Sequence, residues 1–237
     1  MEGRRVRAPA ARPVWPQAVL FDLDGTLIHS APDLHASVNI LLARHGLGPL
    51  TLEQVISMIG NGVKKLVERA FAACGRPLGE MDLENEHQAM LGIYGDHLTL
   101  LTVLMPGARE AVETLHAAGI RLGVVTNKPQ MPTEAILDHF GLSRFLGAVI
   151  GGDAGVARKP APDMILAALD RLGATPEAAL MVGDSPADLG AARAAGVVMV
   201  AVRGGYTNVP ADGLGADRVI ETLAELDAVL KPLAPVA

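Results

Sequence analysis

The strongest constraint on how this chain folds is an alternation. Short apolar runs that end in polar residues recur between segments with helical periodicity. Ala18-Val-Leu-Phe-Asp22 is the first, an apolar run closed by a carboxylate; Arg121 to Thr126, Ala148 to Gly151, Ala179 to Gly183 and Val197 to Val202 follow. Unbroken apolar runs this short read as strands buried on both faces. Between them, Met131 to Phe140 places Ile136, Leu137 and Phe140 on one helical face and stops at Gly141. Asp163 to Leu172 does the same with Ile165, Leu166, Leu169 and Leu172 before Gly173, and Pro186 to Ala195 follows the potential N-cap Ser185 and ends at Gly196. Alternating strands and helices predict an α/β fold, a parallel sheet with helices on both faces and right-handed crossovers.

The stretch from about Ser30 to Leu104 interrupts that pattern. It contains no convincing strand, but Leu34, Val38, Leu41 and Leu42 share one helical face, Val63, Leu66, Val67, Ala70 and Phe71 a second, and Leu83, Met90, Leu91 and Tyr94 a third. Ser30 with Asp33, and Thr51 with Gln54, have the spacing of a capping box. The expected organisation is a basic, flexible tail over 1–17, a core over 18–29 and 105–237, and an inserted helical cap over 30–104. Hinges fall at the crossings, near Ile28 to Ala31 and Leu104 to Gly107.

Composition narrows the function. The net charge is −6 over 237 residues, and the tail alone carries four arginines against one glutamate, leaving −9 for the rest. Such a surface argues against nucleic acid as a partner. No run approaches the roughly 20 apolar residues of a membrane span. The single cysteine, Cys74, can form neither an internal disulfide nor a cysteine zinc site, which fits a reducing cytoplasm. The sequence leaves both monomer and homodimer open.

Ligands of open parallel sheets bind where the strands end. The first strand ends in Asp22-Leu-Asp24-Gly-Thr26, the second in Thr126-Asn127-Lys128, and a later one in Gly183-Asp184-Ser185 with Asp188 following; a loop between them offers Arg158-Lys159-Pro160. Asp22, Asp24 and Asp184 then converge, and clustered buried carboxylates need a compensating cation. An all-oxygen donor set with no His or Cys beside it favours Mg²⁺ over zinc. Thr126 and Lys159 supply a hydroxyl and an ammonium for a phosphoryl group. An ionised Asp22 suits nucleophilic attack on phosphorus, and Asp24, two residues on, suits proton transfer to the leaving oxygen and from water.

Phe21-Asp22-Leu23-Asp24-Gly25-Thr26-Leu27, Thr126-Asn127-Lys128-Pro129, Lys159-Pro160 and Gly183-Asp184-Ser185-Pro186-Ala187-Asp188 resemble, in order, the four motifs of the haloacid dehalogenase superfamily. The resemblance spans about Ala18 to Leu230. It implies a Rossmann-like core with a mobile helical cap, a nucleophilic Asp22, an acid/base Asp24, and Thr126 and Lys159 on the phosphate. It places magnesium on Asp22, the Asp24 carbonyl and Asp184, with Asp188 in or behind that shell. Asp24 favours phosphate chemistry over dehalogenation. Ser30-Ala-Pro-Asp-Leu34, Gly60-Asn-Gly62, Met105-Pro-Gly107, Arg203-Gly-Gly-Tyr206 and Gly215-Ala-Asp217-Arg-Val-Ile220 resemble bacterial phosphoglycolate phosphatases, although Met105 replaces their usual aromatic residue.

The expected activity is hydrolysis of a small phosphorylated metabolite, 2-phosphoglycolate first, through an aspartyl-phosphate. The rivals are a phosphatase for a sugar phosphate or for pyrophosphate, a phosphomutase, and a non-catalytic binding module. Asp188 has two compatible readings, metal shell and helix N-cap partner of Ser185. The Gly60-Asn61-Gly62-Val63-Lys64 stretch is either a plain turn into a helix or a loop that closes over the site with Asn61 or Lys64 near the substrate's non-phosphate end; Asn127 is expected among the substrate-binding residues with Thr126 and Lys159.

Overall fold

The computed structural model describes residues 15–233. Most of the expected tail, 1–14, lies outside them. Trp15 to Gln17, assigned to that tail from sequence, instead lead into β1 at the amino end of the sheet: the Trp15 indole donates to the Glu177 carbonyl at 3.2 Å and the Gln17 amide to that of Ala178 at 2.7 Å.

The strands are β1 (Ala18–Phe21), β2 (Ile28–His29), β3 (Val103–Leu104), β4 (Arg121–Val125), β5 (Leu146–Ile150), β6 (Ala179–Gly183), β7 (Val198–Val202) and β8 (Arg218–Ile220). The helices are α1 (Ala31–Arg44), α2 (Leu52–Ile56), α3 (Val63–Ala73), α4 (Glu80–Gly95), α5 (Ala108–Ala117), α6 (Gln130–His139), α7 (Asp163–Leu172), α8 (Pro186–Ala195) and α9 (Leu226–Leu233). Six strands form one sheet in the order β5-β4-β1-β6-β7-β8, every pairing parallel. This is the α/β, Rossmann-like architecture expected. Strand β8 escapes the apolar-run criterion because it has three residues and starts on an exposed arginine.

Successive β1 side chains enter opposite layers, as a strand period of two requires. Val19 and Phe21 pack with Val112 and Leu115 of α5, Ile136 and Leu137 of α6, and Leu226 and Leu230 of α9. Ala18 and Leu20 pack with Ile165 and Leu169 of α7 and Ala191 and Ala192 of α8. Burial on both faces is why the strand carries no polar alternation. The chain runs outward from β1 through β4 to β5, then returns to β6 on the other side. That reversal opens a crevice at the carboxyl end of β1.

Helices α1 to α4 fill the interval between β2 and β3 and share their own apolar cluster, centred on Leu41, Leu42, Phe71, Met90 and Tyr94. The crossings into and out of this unit are the antiparallel pair β2–β3, Ile28 opposite Leu104. Two residues per strand are too few for a periodicity signal, so the sequence reading found no strand there. The Thr51–Gln54 capping box forms. The Ser30–Asp33 box does not: the Ser30 hydroxyl donates to Asp24 at 2.5 Å, and the Asp33 carboxylate accepts from the amides of Leu101 and Thr102 and from the Thr102 hydroxyl. Both side chains have long-range partners that outcompete the local motif. Among the described residues no helix is long and apolar enough to cross a membrane.

Candidate active site

Each strand that ends at the crevice delivers a polar residue one position past its last apolar one. Asp22 follows β1, Thr126 follows β4 and Asp184 follows β6, while Asp188 sits in the first turn of α8 and Lys159 in the loop between β5 and α7. All five are buried. The Lys159 ammonium donates to the Val125 carbonyl at 2.8 Å and to Asp188 at 2.6 Å, and lies 2.8 Å from Asp22. Asp184 accepts from the Thr26 hydroxyl at 2.9 Å and from the Tyr206 amide at 2.7 Å. Gly25 has φ +89°, and a Cβ there would stand 2.8 Å from an Asp184 oxygen; Gly205 abuts the same carboxylate. Glycine is needed at Gly25 for both its backbone angle and this close approach.

The electrostatics follow from burial. Desolvation, reinforced by the charge of Asp188 and opposed by Lys159, pushes Asp22 up to about 6. Desolvation, then Asp188 and Asp22, pushes Asp184 well above the ordinary carboxylate range. Burial disfavours the charged Lys159, but Asp188 and Asp22 outweigh it and its pKa rises. One lysine therefore under-compensates three acids. Asp22, Asp184 and Asp188 each offer a carboxylate oxygen, all within 4.8 Å of one another. Three converging anionic oxygens short of positive charge fit a hard cation.

Asp24 stands apart from that group. Its carboxylate takes the Ser30 hydroxyl at 2.5 Å and the Lys128 ammonium at 3.0 and 3.2 Å. Its carboxylate does not join Asp22 and Asp184 as expected; Asp188 takes that place in the acidic group. Lys128 is buried and also donates to the Tyr94 hydroxyl, 2.6 Å away on α4. Burial opposes its charge, yet Asp24 and Tyr94 raise its pKa, while burial pushes Tyr94 up to about 12. Asp188 forms the helix N-cap box with Ser185 and also reaches the buried charges beside it. One oxygen meets Lys159; the other accepts from the Ser185 amide at 3.0 Å and hydroxyl at 2.6 Å.

A cavity of about 40 Å³ joins these groups to the helical unit, with Asp22, Asp24, Thr126, Asn127, Lys128 and Lys159 on one side and Leu34, Gly60, Gly62, Val63 and Leu66 on the other. The Asn127 amide nitrogen donates to the Gly60 and Lys159 carbonyls at 3.0 and 3.1 Å, tying the two sides together. Asn61 does not line this cavity. It accepts from Arg69 and faces a neighbouring one. Lys64 is also displaced from its expected role: it is exposed and paired with Glu84 at 2.6 Å, holding that carboxyl down at about 2. Lys64 directly follows the cavity-lining Val63, and one step along a helix is enough to turn a side chain to another face.

Sequence reasoning gave no role to Thr26, Lys128, Tyr94 or Tyr206. Thr26 and Lys128 had a signal, since both lie in the polar strand-end segments. Tyr94 had none, because its position on an apolar helical face reads as core.

The model of the haloacid dehalogenase-like hydrolase family matches residues 19–202. Two curated relatives named phosphoglycolate phosphatase are similar over most of the chain. That of Rhodospirillum rubrum is 43% identical over 215 residues, 89% of each chain, and that of Caulobacter vibrioides 40% identical over 208 residues, 88% of each. Among solved structures, a predicted phosphoglycolate phosphatase from Haemophilus somnus 129PT superposes with a TM-score of 0.85 at 32% identity, covering 90% of this chain and 97% of that one. CbbY from Rhodobacter sphaeroides, in complex with phosphate, gives 0.76 at 27% identity over 91% and 99%. With the family model matching well over half of its length, the chain belongs to the haloacid dehalogenase-like hydrolases.

Proposed function

We propose that this chain is a magnesium-dependent phosphatase that hydrolyses 2-phosphoglycolate to glycolate and phosphate, with Asp22 as nucleophile. The observation that carries the chemistry is Lys159 held 2.8 Å from Asp22 and 2.6 Å from Asp188 beside a third buried acid. The substrate reading rests on the names of the relatives, two of which are 43% and 40% identical to this chain.

In the first half-reaction an Asp22 carboxylate oxygen forms a bond to phosphorus as the bond from phosphorus to the ester oxygen breaks. Asp24 gives its proton to that departing oxygen, leaving glycolate and a phosphorylated Asp22. In the second, water attacks the same phosphorus, its proton passes to Asp24, and the phosphorus–Asp22 bond breaks to return the free carboxylate. Lys159, and Thr126 through its hydroxyl, face the phosphoryl oxygens. Asp22, Asp184 and the Asp24 carbonyl, with Asp188 joining or supporting the set, would hold magnesium, which would supply the positive charge that keeps Asp22 ionised and neutralises the phosphoryl group. The helical unit over 30–104 acts as the cap, and its closure through the β2–β3 crossing excludes water.

The test is phosphate release from 2-phosphoglycolate, pyrophosphate and sugar phosphates, with and without chelator. 2-Phosphoglycolate is expected to lead, chelator to abolish turnover, and Asp22→Asn to lower kcat on the order of 10⁴-fold or more. Full turnover by Asp22→Asn removes the nucleophile. A sugar phosphate in first place removes the substrate and leaves the chemistry standing.

A further inference from the structure

The chemistry above uses one of the two lysines that line the cavity. Both are buried, but their surroundings differ. An ammonium has three hydrogens to donate. Lys159 has three acceptor groups around it, the Val125 carbonyl, Asp22 and Asp188. Lys128 also has three acceptor atoms, both Asp24 carboxylate oxygens at 3.0 and 3.2 Å and the Tyr94 hydroxyl at 2.6 Å, so its partners come from two side chains. That hydroxyl accepts its bond from Lys128, and no acceptor for its own hydrogen stands among the described residues. A buried ammonium from the end of β4 and a buried hydroxyl from α4 thus meet at the cavity, and the hydrogen of that hydroxyl is the donor left without a protein acceptor among the described residues. The adjoining wall of Leu34, Val63 and Leu66 side chains offers no acceptor.

Reach decides what these donors can hold. An ester oxygen that takes a proton from Asp24 lies about 2.7 Å from that carboxyl. In a two-carbon ester the carboxylate oxygens stand about 3 Å from the ester oxygen, given bonds of roughly 1.5 Å. The Lys128 nitrogen is 3.0 Å from the same carboxyl. This separation allows a hydrogen bond from Lys128 to a carboxylate one carbon away from the reacting oxygen.

We propose that Lys128, backed by Tyr94, binds the substrate carboxylate and selects short phosphate esters that carry a carboxylate beside the ester carbon. The proposal rests on the phosphatase reading and deepens it. A charge-assisted hydrogen bond to a buried carboxylate is worth about 10–100-fold in discrimination.

The experiment compares kcat/KM for 2-phosphoglycolate and for ethyl phosphate, which has the same number of carbons and no carboxylate, in the wild type, Lys128→Met and Tyr94→Phe. The wild type is expected to prefer 2-phosphoglycolate. Lys128→Met should lower that preference by about 10–100-fold and Tyr94→Phe by a few-fold in the same direction. A Lys128 that only supports Asp24 would lower both substrates together, and an unchanged ratio overturns the proposal. Should Lys128→Met fail to fold, Tyr94→Phe, which deletes one oxygen from a buried ring, decides it by the same ratio. A wild type that hydrolyses both esters equally leaves nothing to select. That result overturns the proposal and the 2-phosphoglycolate assignment while keeping the phosphatase.

Discussion

Helix α2 in the inserted unit and helix α8 in the core begin on the same device. At α2 the Thr51 amide donates to Gln54 at 2.8 Å and the Gln54 amide returns to the Thr51 hydroxyl at 3.2 Å; at α8 Ser185 and Asp188 exchange the corresponding bonds at 3.0 and 3.4 Å. The α2 box is exposed and ends with its own helix. The α8 box is partly buried, and the free oxygen of its Asp188 lies 2.6 Å from Lys159 and in the acidic group with Asp22 and Asp184. One motif is thus structural at one address and part of a charged site at the other. The difference lies in what the fold brings to it: solvent at α2, a lysine and two carboxylates at α8.

The largest expected effect separates the two regions by pH. In the folded, metal-free protein Asp22 is raised to about 6 from an ordinary 3.8, and Asp184 is raised as well. Between those values the folded chain keeps protons that the unfolded chain has released. Stability in chelator therefore falls as pH rises from about 4 through 6, by about 3 kcal/mol from Asp22 alone, with Asp184 acting in the same direction. A divalent cation binds the deprotonated acids, so magnesium should stabilise more at pH 7 than at pH 5. Denaturant melts at both pH values, with magnesium or chelator, measure this. A magnesium increment equal at pH 5 and pH 7 would mean that the core acids are not the groups responsible.

The same contrast explains what could be read in advance. Asp22, Thr126 and Asp184 were legible because a parallel sheet leaves one place for the polar residue that ends an apolar strand, whatever its neighbours. Asp33 misled, since the spacing Ser30 to Asp33 is local while its partners are Leu101 and Thr102, almost seventy residues away. Tyr94 was hidden because a buried ring and a buried hydroxyl share one side chain, and helical periodicity registers only the ring. The β2–β3 pair was invisible because two-residue strands have no period. For Asp33, Tyr94 and the β2–β3 pair alike, the partner that sets the role lies tens of residues away along the chain, where a local pattern does not register it.

Ser185→Ala sharpens the comparison at intermediate size. It removes the hydroxyl that holds Asp188 at 2.6 Å while leaving Asp188 itself and its contact with Lys159. Loss of such an outer partner commonly weakens a metal site by about 10–100-fold, so magnesium affinity should fall by that much, together with the loss of a helix cap. Calorimetric titration of magnesium into the chelated protein is the measurement. Unaltered affinity would show that Lys159 and the Ser185 amide suffice to orient Asp188 and that the hydroxyl of the α8 box is as purely structural as that of α2.

Thr51→Ala is the smallest effect and the control for the others. Its hydroxyl satisfies one amide at an exposed helix start, and replacement of such a cap costs about 1 kcal/mol. No atom of Thr51 lines the cavity, and α2 reaches the apolar cluster of its unit through Val55, which does not depend on the box. The variant should lower the melting temperature by a few degrees. Magnesium affinity and kcat should match the wild type at a temperature where both are folded. A fall in kcat without a fall in stability would place the start of α2 in cap closure, and the two capping boxes would then differ in the step they serve, since both would be coupled to the site.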